Sequence, residues 1–479
     1  MPEDRTIMGD PVVIGFVVYL VVVLVVGLAT VRLTRSLADY LLAGRKLGPW
    51  LVAFSERASG ESAWLLIGLP GVALMSGFGG LWPAIGCTFG IFCSWTFVAR
   101  RLREQTEAYD AITLPEFFEK RYNDESHAIR WVATLIIVFF FTLYVAAQFL
   151  GAGKVLNAAF GITPLQGMLI GAAIILFYTI MGGFFAVVWT DFFQGLIMIF
   201  TLAVLPIAGL IYLGGFGPLL EKVGAVNPRL LALGTADTTL GLVMGAIGGL
   251  GIGLGYVGQP HLLVRFMAIR DPKELRQGSL IATWWALIAF YGAVGIGIVG
   301  LAMFGQSLAD QEQIMPMVAR ALMPAGIVGI MISGAIAAMM STADSQLLVS
   351  TSAITEDIYH GLVNKDAPQK RLVLYSRLAT VAVGVVAFIL ALGAERLVYD
   401  LVLYAWGGLG AAFGPPLLFT LWSKRTTKAG VLAGMLVGAG SVIVWNNISI
   451  LSGFVYELVP GFLLSTLAVW LVSGMTRSR

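Results

Sequence analysis

Charge is scarce in this chain. Only 12% of its 479 residues are Asp, Glu, Lys or Arg, against 58% hydrophobic. Soluble domains carry about a quarter of their residues charged, so a water-soluble enzyme or scaffold is excluded. Cysteine is nearly absent as well. The two present, Cys87 and Cys93, fall in one apolar stretch, which argues against a structural disulfide and for buried free thiols. The three histidines, His127, His261 and His360, are far apart; without metal-ligand spacing they are expected in loop or interfacial positions. No phosphate-binding loop or nucleophile motif occurs, and no nucleic-acid partner is expected. The apolar run 11–30 is too long for a secretory h-region and is followed by Arg32 and Arg35, so it reads as a membrane span.

What the chain does have is apolar stretches of about 20 residues along its whole length, each able to cross a bilayer. The reading is all-α and integral to the membrane, with about thirteen spans. Lys and Arg cluster on one side of them. Arg32, Arg35, Arg45 and Lys46 follow span one, and Arg100, Arg101, Arg103, Lys120, Arg121 and Arg130 separate spans three and four. Arg265, Arg270, Lys273 and Arg276, then Lys365, Lys370, Arg371 and Arg377, then Lys424, Arg425 and Lys428 repeat the pattern, and Arg477 and Arg479 end it. The other side holds Arg5, Lys154, Lys222, Arg229, Arg320 and Arg396. The positive-inside rule then puts the N-terminus outside and the C-terminus in the cytoplasm, in a multi-pass protein of the cytoplasmic membrane.

Two spans are interrupted. Span two, residues 50–74, breaks at Ala58-Ser59-Gly60-Glu61-Ser62; span seven, residues 240–267, breaks at Gly248, Gly249, Gly251, Gly253 and Gly255 and again at Gln259-Pro260. Backbone groups freed at membrane depth need other partners, so such breaks line cavities. Paired breaks in corresponding positions mark the site of a transporter built from inverted repeats. With span one set apart, spans two to six and seven to eleven form two five-helix sets of opposite orientation, each opening with a discontinuous helix. The expected divisions are 1–48 (extra helix and loop), 49–215 (first repeat), 216–423 (outer loop and second repeat) and 424–479 (two final helices). A tight turn is expected at Thr190-Asp191 between spans five and six.

The breaks also carry a resemblance. Ser62-Ala63-Trp64-Leu65-Leu66 running to Pro70-Gly71, Ala186-Val187-Val188-Trp189-Thr190-Asp191 within 182–194, and Gly255-Tyr256-Val257-Gly258-Gln259-Pro260-His261 resemble the sodium:solute symporter family, closest to its bacterial sodium/proline branch. Ser341-Thr342 with Gln346-Leu347-Leu348, Ser352-Ala353-Ile354-Thr355-Glu356-Asp357, and Tyr404-Ala405-Trp406 with Gly410–Pro415 continue it in family order. The resemblance implies a sodium-coupled symporter of a small solute, proline or a related amino acid, and not an enzyme. It implies sodium on the carbonyls of Ala58, Glu61 and Ala338 and the hydroxyls of Ser341 and Thr342. A hard cation wants oxygen ligands, and an unwound helix offers spare carbonyls. The alternative for Ser341 and Thr342 is bonding back to their own helix. Asp191, Asp344 and Ser345 are the implied second cation or proton site, where a carboxylate at position 344 departs from the usual serine or cysteine. The implied substrate residues are Ser59, Gly60, Trp64, Tyr144, Tyr256, Gln259 and Pro260, with Ile252 standing where a tryptophan is expected. Membrane lipid is the other expected partner; the oligomeric state is not readable.

Position 60, an aspartate in the proline branch, is glycine here, while Glu56, Arg57 and Glu61 are charged. Ionisable groups at this depth face a partner or a water-filled path. Three accounts stand: Glu61 restores the charge and sodium coupling survives; Arg57 sets its guanidinium against Asp344 or Asp191 and replaces the ion, leaving proton coupling or exchange; or Arg57 forms a structural salt bridge. A solute sensor is disfavoured because no output domain follows the last span, and a channel because the midplane site is occluded. A membrane enzyme would have only Asp191 and Asp344 as a catalytic pair.

Overall fold

The computed structural model describes residues 11–30, 41–394 and 397–476. Arg5, Arg32, Arg35, Arg396, Arg477 and Arg479 of the charge asymmetry lie outside them. Ten helical stretches among the described residues are long and apolar enough to cross a bilayer. The first, Pro49–Ala108, is a hairpin. Gly77 takes a left-handed φ of 58°, and Trp95 Nε1 donates to Glu56 at 3.0 Å across the two arms. These arms are spans two and three. Two shorter apolar helices, Pro11–Gly27 and Pro164–Phe177, stand where spans one and five are expected. Counting them and both arms of the hairpin reaches the thirteen expected.

Span four is Ala128–Phe160, span six Gly183–Tyr212, span eight Pro272–Phe304 and span nine Ala325–Val363. Spans ten to thirteen are Lys370–Leu392, Val398–Trp422, Lys428–Asn447 and Leu458–Thr476. The turn expected at Thr190-Asp191 is not there. The backbone breaks at Gly183 (φ 60°, ψ −174°) instead, a conformation glycine reaches without the Cβ clash other residues meet. Thr190 satisfies its hydroxyl on the carbonyl of Ala186 at 2.8 Å, so both residues stay helical and Asp191 points into the core.

Both expected breaks are present. Span two runs as Pro49–Ala63, with Ser62 forced to φ 43°, ψ −170°, and then as a wide turn Trp64–Gly68 before Leu69–Ser76. The freed amide of Ala63 is taken by Gln148 Oε1 of span four at 2.9 Å. Span seven runs as Thr239–Gly251, a tight 3-10 segment Ile252–Val257, and Pro260–Ala268. Glycines allow its middle to lie backbone to backbone on span three: a Cβ at Gly90 would stand 2.2 Å from Gly253 O, and one at Gly86 2.5 Å from Leu250 O. The two broken helices are tied at one end, where Arg270 N donates to Leu47 O at 2.9 Å and Leu47 N to Ala268 O at 3.3 Å. That end also carries the loop helix Leu114–Arg121. The Gly77 turn lies at the other end, against Leu230.

Candidate functional site

Two polar clusters meet on span two just before its break. In the first, span nine presents a hydroxyl face to the unwinding helix. Ser341 Oγ lies 2.9 Å from Ala58 O and 3.1 Å from Ala338 O, and Thr342 Oγ1 donates to Ser59 O at 2.9 Å. All five residues are buried. Ala58, Ala338 and Ser341 are thus brought together, with Thr342 on the adjoining carbonyl of Ser59, while the Glu61 carbonyl accepts from Trp64 N as the helix is re-formed past the break. The donor set is chemically suited to sodium, since uncharged hydroxyl and carbonyl oxygens are hard ligands of the kind such a cation takes.

The second cluster is organised by a residue the sequence had placed in a cytoplasmic loop. Arg265 is fully buried. Its Nη2 lies 3.0 Å from Asp191 Oδ2, 2.6 Å from Ser59 Oγ and 2.5 Å from Ser345 Oγ, and its Nε donates to Ser55 Oγ at 2.9 Å. Ser55 and Ser59 donate in turn to Asp191 Oδ2 at 2.6 and 3.0 Å. Arg265 also reaches His261 O on its own helix. The helix restarts at Pro260, which turns the face four residues apart, His261 and Arg265, toward spans two, six and nine. Asp344 Oδ1 accepts from Ser345 Oγ at 3.2 Å, and its Oδ2, like Asp191 Oδ1, is buried without a hydrogen-bond partner.

Arg57 therefore does not reach Asp191 or Asp344. It sits earlier on span two, where its Nε donates to Glu56 Oε2 at 2.6 Å and its Nη1 to Glu61 Oε1 at 2.6 Å. A second contact joins Nη2 to Glu56 Oε1. The guanidinium lies 5.2 Å from the Tyr256 ring centre. Glu56, Arg57 and Glu61 form one buried set, separate from the Asp191 set: Arg57 and Glu61, four residues apart, are neighbours on the helix surface, and Glu56 is reached from the adjacent position.

The expected substrate residues are spread over these sets and the surrounding aromatic side chains. Tyr256 OH donates to Glu61 Oε2 at 3.3 Å, and Tyr144 OH to Ser62 Oγ at 3.4 Å. Trp64 packs on Phe290 and Tyr399 at 5.7 and 6.0 Å. Gly60 sits beside Arg57 and Leu262, with no room to spare. Gln259 Nε2 donates to Trp406 O at 2.9 Å. Ser59, by contrast, belongs through its hydroxyl to the Arg265 cluster. Ile252 uses its carbonyl to accept from Trp406 Nε1 at 2.9 Å, and the indole packs on Tyr256 at 4.7 Å. Span eleven thus supplies an aromatic ring next to the position where span seven has isoleucine. A cleft from the Gly77 end reaches Ile252 and Tyr399; one from the opposite end reaches Pro260, Arg265 and Ser345.

Sequence reasoning gave no site role to Arg265, Ser55, Ser62, Gln148 or Trp406. It also put His261 at an interface, whereas it is buried beside Phe141 and Tyr144 at 5.2 and 6.3 Å. Cys93 is only half-buried, while Cys87 is buried. The one available signal for Arg265 was its spacing of four from His261 on a helix opened by proline.

Comparison with known proteins places these clusters in context. The profile of the Sodium:solute symporter family matches residues 40–438. The chain is 41% identical to the "High-affinity proline transporter PutP" of Bacillus subtilis, covering 95% of this chain and 96% of that protein. It is 40% identical to the "Sodium/proline symporter" of Escherichia coli, over 96% and 92%. It is 39% identical to the "Osmoregulated proline transporter OpuE" of B. subtilis, over 98% and 96%. Its fold is similar to that of a Na+-coupled sialic acid symporter, with TM-score 0.80, 19% identity and 98% of each chain covered. The nucleobase-cation-symport-1 transporter Mhp1 is also similar, at TM-score 0.55 and 14% identity over 92% of this chain and 96% of the other.

Proposed function

The chain belongs to the sodium:solute symporter family, and from that membership we propose that it couples sodium to the uptake of proline across the cell membrane. It is a transporter and not an enzyme. Relatives about 40% identical over nearly their whole length are named for sodium and proline. The observation that carries the reading is the meeting of the Ser341 and Thr342 hydroxyls with the carbonyls of Ala58 and Ser59 at the broken helix. We assign sodium to Ala58, Ala338, Ser341 and Thr342, with the loss of Glu61 O from the set.

At the second place Arg265 already gives Asp191 its positive charge, which supports one coupled sodium rather than two. Proline would lie among Trp64, Tyr144, Tyr256, Gly60 and Pro260, between the two clefts. We assign the Gly77 end to the outside and the Leu114–Arg121 end to the cytoplasm, where Arg100, Arg101, Lys424 and Arg425 gather. Alternating access then follows from rocking spans two and seven as a unit, since their inner ends are joined through Leu47 and Ala268.

Uptake of radiolabelled proline into liposomes holding the purified protein tests the reading. An inward sodium gradient is expected to drive accumulation with a Hill coefficient of about 1 for sodium. Uptake indifferent to sodium and driven by an acidic exterior would overturn it.

A further inference from the structure

We infer that Arg57 and Glu61 are the two poles of a recognition site for a zwitterion, closed on each other until the solute parts them. The inference rests on the amino-acid symporter reading and adds how this chain recognises its solute.

The two carboxylates around Arg57 are not equivalent. Glu56 holds it by two prongs, from Nε and Nη2, and is itself fixed by Trp95 Nε1 at 3.0 Å. A two-pronged, planar contact of this kind is geometrically locked. Glu61 takes only Nη1, at 2.6 Å, with long contacts of 3.3 and 3.4 Å from Tyr256 OH. Glu61 also directly precedes Ser62, whose φ of 43° marks the break, so it stands on the segment best able to move. Glu56 is the permanent counter-ion; Glu61 is the releasable one.

Separating a buried pair leaves two charges uncompensated unless something replaces each partner. A solute carrying one charge replaces only one. A zwitterion replaces both: its carboxylate takes Arg57 Nη1, and its ammonium takes Glu61. The set stays at the same net charge before and after, and no proton or ion needs to move to balance it. The surroundings of the two poles are apolar and aromatic. Tyr256 lies against Arg57, Trp64 follows the break on span two, and Tyr144 reaches Ser62 at the break with its hydroxyl; all three rings are buried. A residue with a side chain at 60 would meet Arg57 Nη2 at 3.7 Å and Leu262 at 3.3 Å. Glycine at position 60 thus lets Leu262 of span seven pack closely on span two beside Arg57.

Binding to the purified full-length protein, measured by competition against radiolabelled L-proline in sodium, tests this. L-prolinamide lacks the carboxylate, and tetrahydrofuran-2-carboxylate lacks the ammonium at nearly constant shape. Each is expected to bind the wild type at least about 30-fold more weakly than proline, as when one partner of a buried charged pair is removed. In Glu61→Gln the penalty on tetrahydrofuran-2-carboxylate is expected to fall below about threefold, while that on prolinamide persists. A wild type that binds either analogue as well as proline would overturn the inference without any variant being needed. So would Glu61→Gln that folds and keeps the wild-type discrimination. A wild type that binds another zwitterionic amino acid but not proline would remove proline as the substrate and leave the pair in place, with the matching amide and oxy-acid as probes. A wild type that binds only singly charged or neutral solutes would overturn both.

Discussion

Arg265 Nη2 stands 3.0 Å from Asp191 Oδ2, both side chains buried, although 74 residues separate them. The pair joins span seven to span six beside the break of span two. Removing one partner of such a pair strands a charge and costs about 3–5 kcal/mol, whereas removing both need not. Arg265→Gln and Asp191→Asn are each expected to lower the melting temperature of the purified protein strongly. The double variant is expected to recover most of the loss, so that the two effects are far from additive. Additive losses would show that the pair is incidental.

Ser341 touches two carbonyls with one hydroxyl. If those oxygens surround sodium, Ser341→Ala removes one contact to a charged group, worth about 1.5–3 kcal/mol. The half-saturating sodium concentration for proline uptake is then expected to rise about 10- to 100-fold. An unchanged sodium dependence would leave Ser341 with only the helix-bonding role that serines commonly play in membranes.

Gly90 and Gly253 hold spans three and seven in backbone contact. A Cβ at Gly90 has no flexible neighbour to displace, so Gly90→Ala is expected to destabilise by about 1–3 kcal/mol and to reduce uptake. Gly245 on the same broken helix meets nothing within 4 Å. Gly245→Ala is expected to leave stability unchanged or raised by less than about 1 kcal/mol. Thermal unfolding of both variants side by side checks the contrast.

Asp124 lies in the loop before span four, bonded to Lys428, the Ser126 hydroxyl and the Ile129 amide. Burial by itself raises its carboxyl, but the bonds from Lys428, Ser126 and Ile129 outweigh it and hold it at about 2, below the ordinary 3.8. A depressed carboxyl stabilises the fold above its unfolded value and loses that contribution as pH falls. Asp124→Asn is therefore expected to melt lower than the wild type by a constant margin from pH 7 down to about 4. The margin should close only as pH falls from 3.8 toward 2. A margin already shrinking between pH 7 and 5 would mean that another group is responsible.

Much of the fold was legible because hydrocarbon is an exacting solvent. Length and apolarity place the spans, and small residues at mid-depth place the breaks, since unpaired backbone survives there only with partners. The meeting of Ser341 and Thr342 with the span-two break followed the order of the resembling motifs. Less legible was the charge. Arg265 stands near the end of an apolar run, just before a basic loop, and counting alone assigned it there; Thr190-Asp191 looked like a turn because polar residues usually mark one.

The sequence by itself determined how often the chain crosses the membrane, where two helices must unwind, and to which family it belongs. Those are properties of single segments and their order. Only the tertiary structure decided which arginine serves which acid: Arg57 pairs with Glu56 and Glu61 on its own helix, and Arg265 crosses to Asp191. Periodicity tells which residues share a face of one helix, but not how that helix is rotated against its neighbours. That rotation is set by packing, here by glycines that let span three lie on span seven and by the restart at Pro260. Buried charges then take whichever partner the rotation brings within reach.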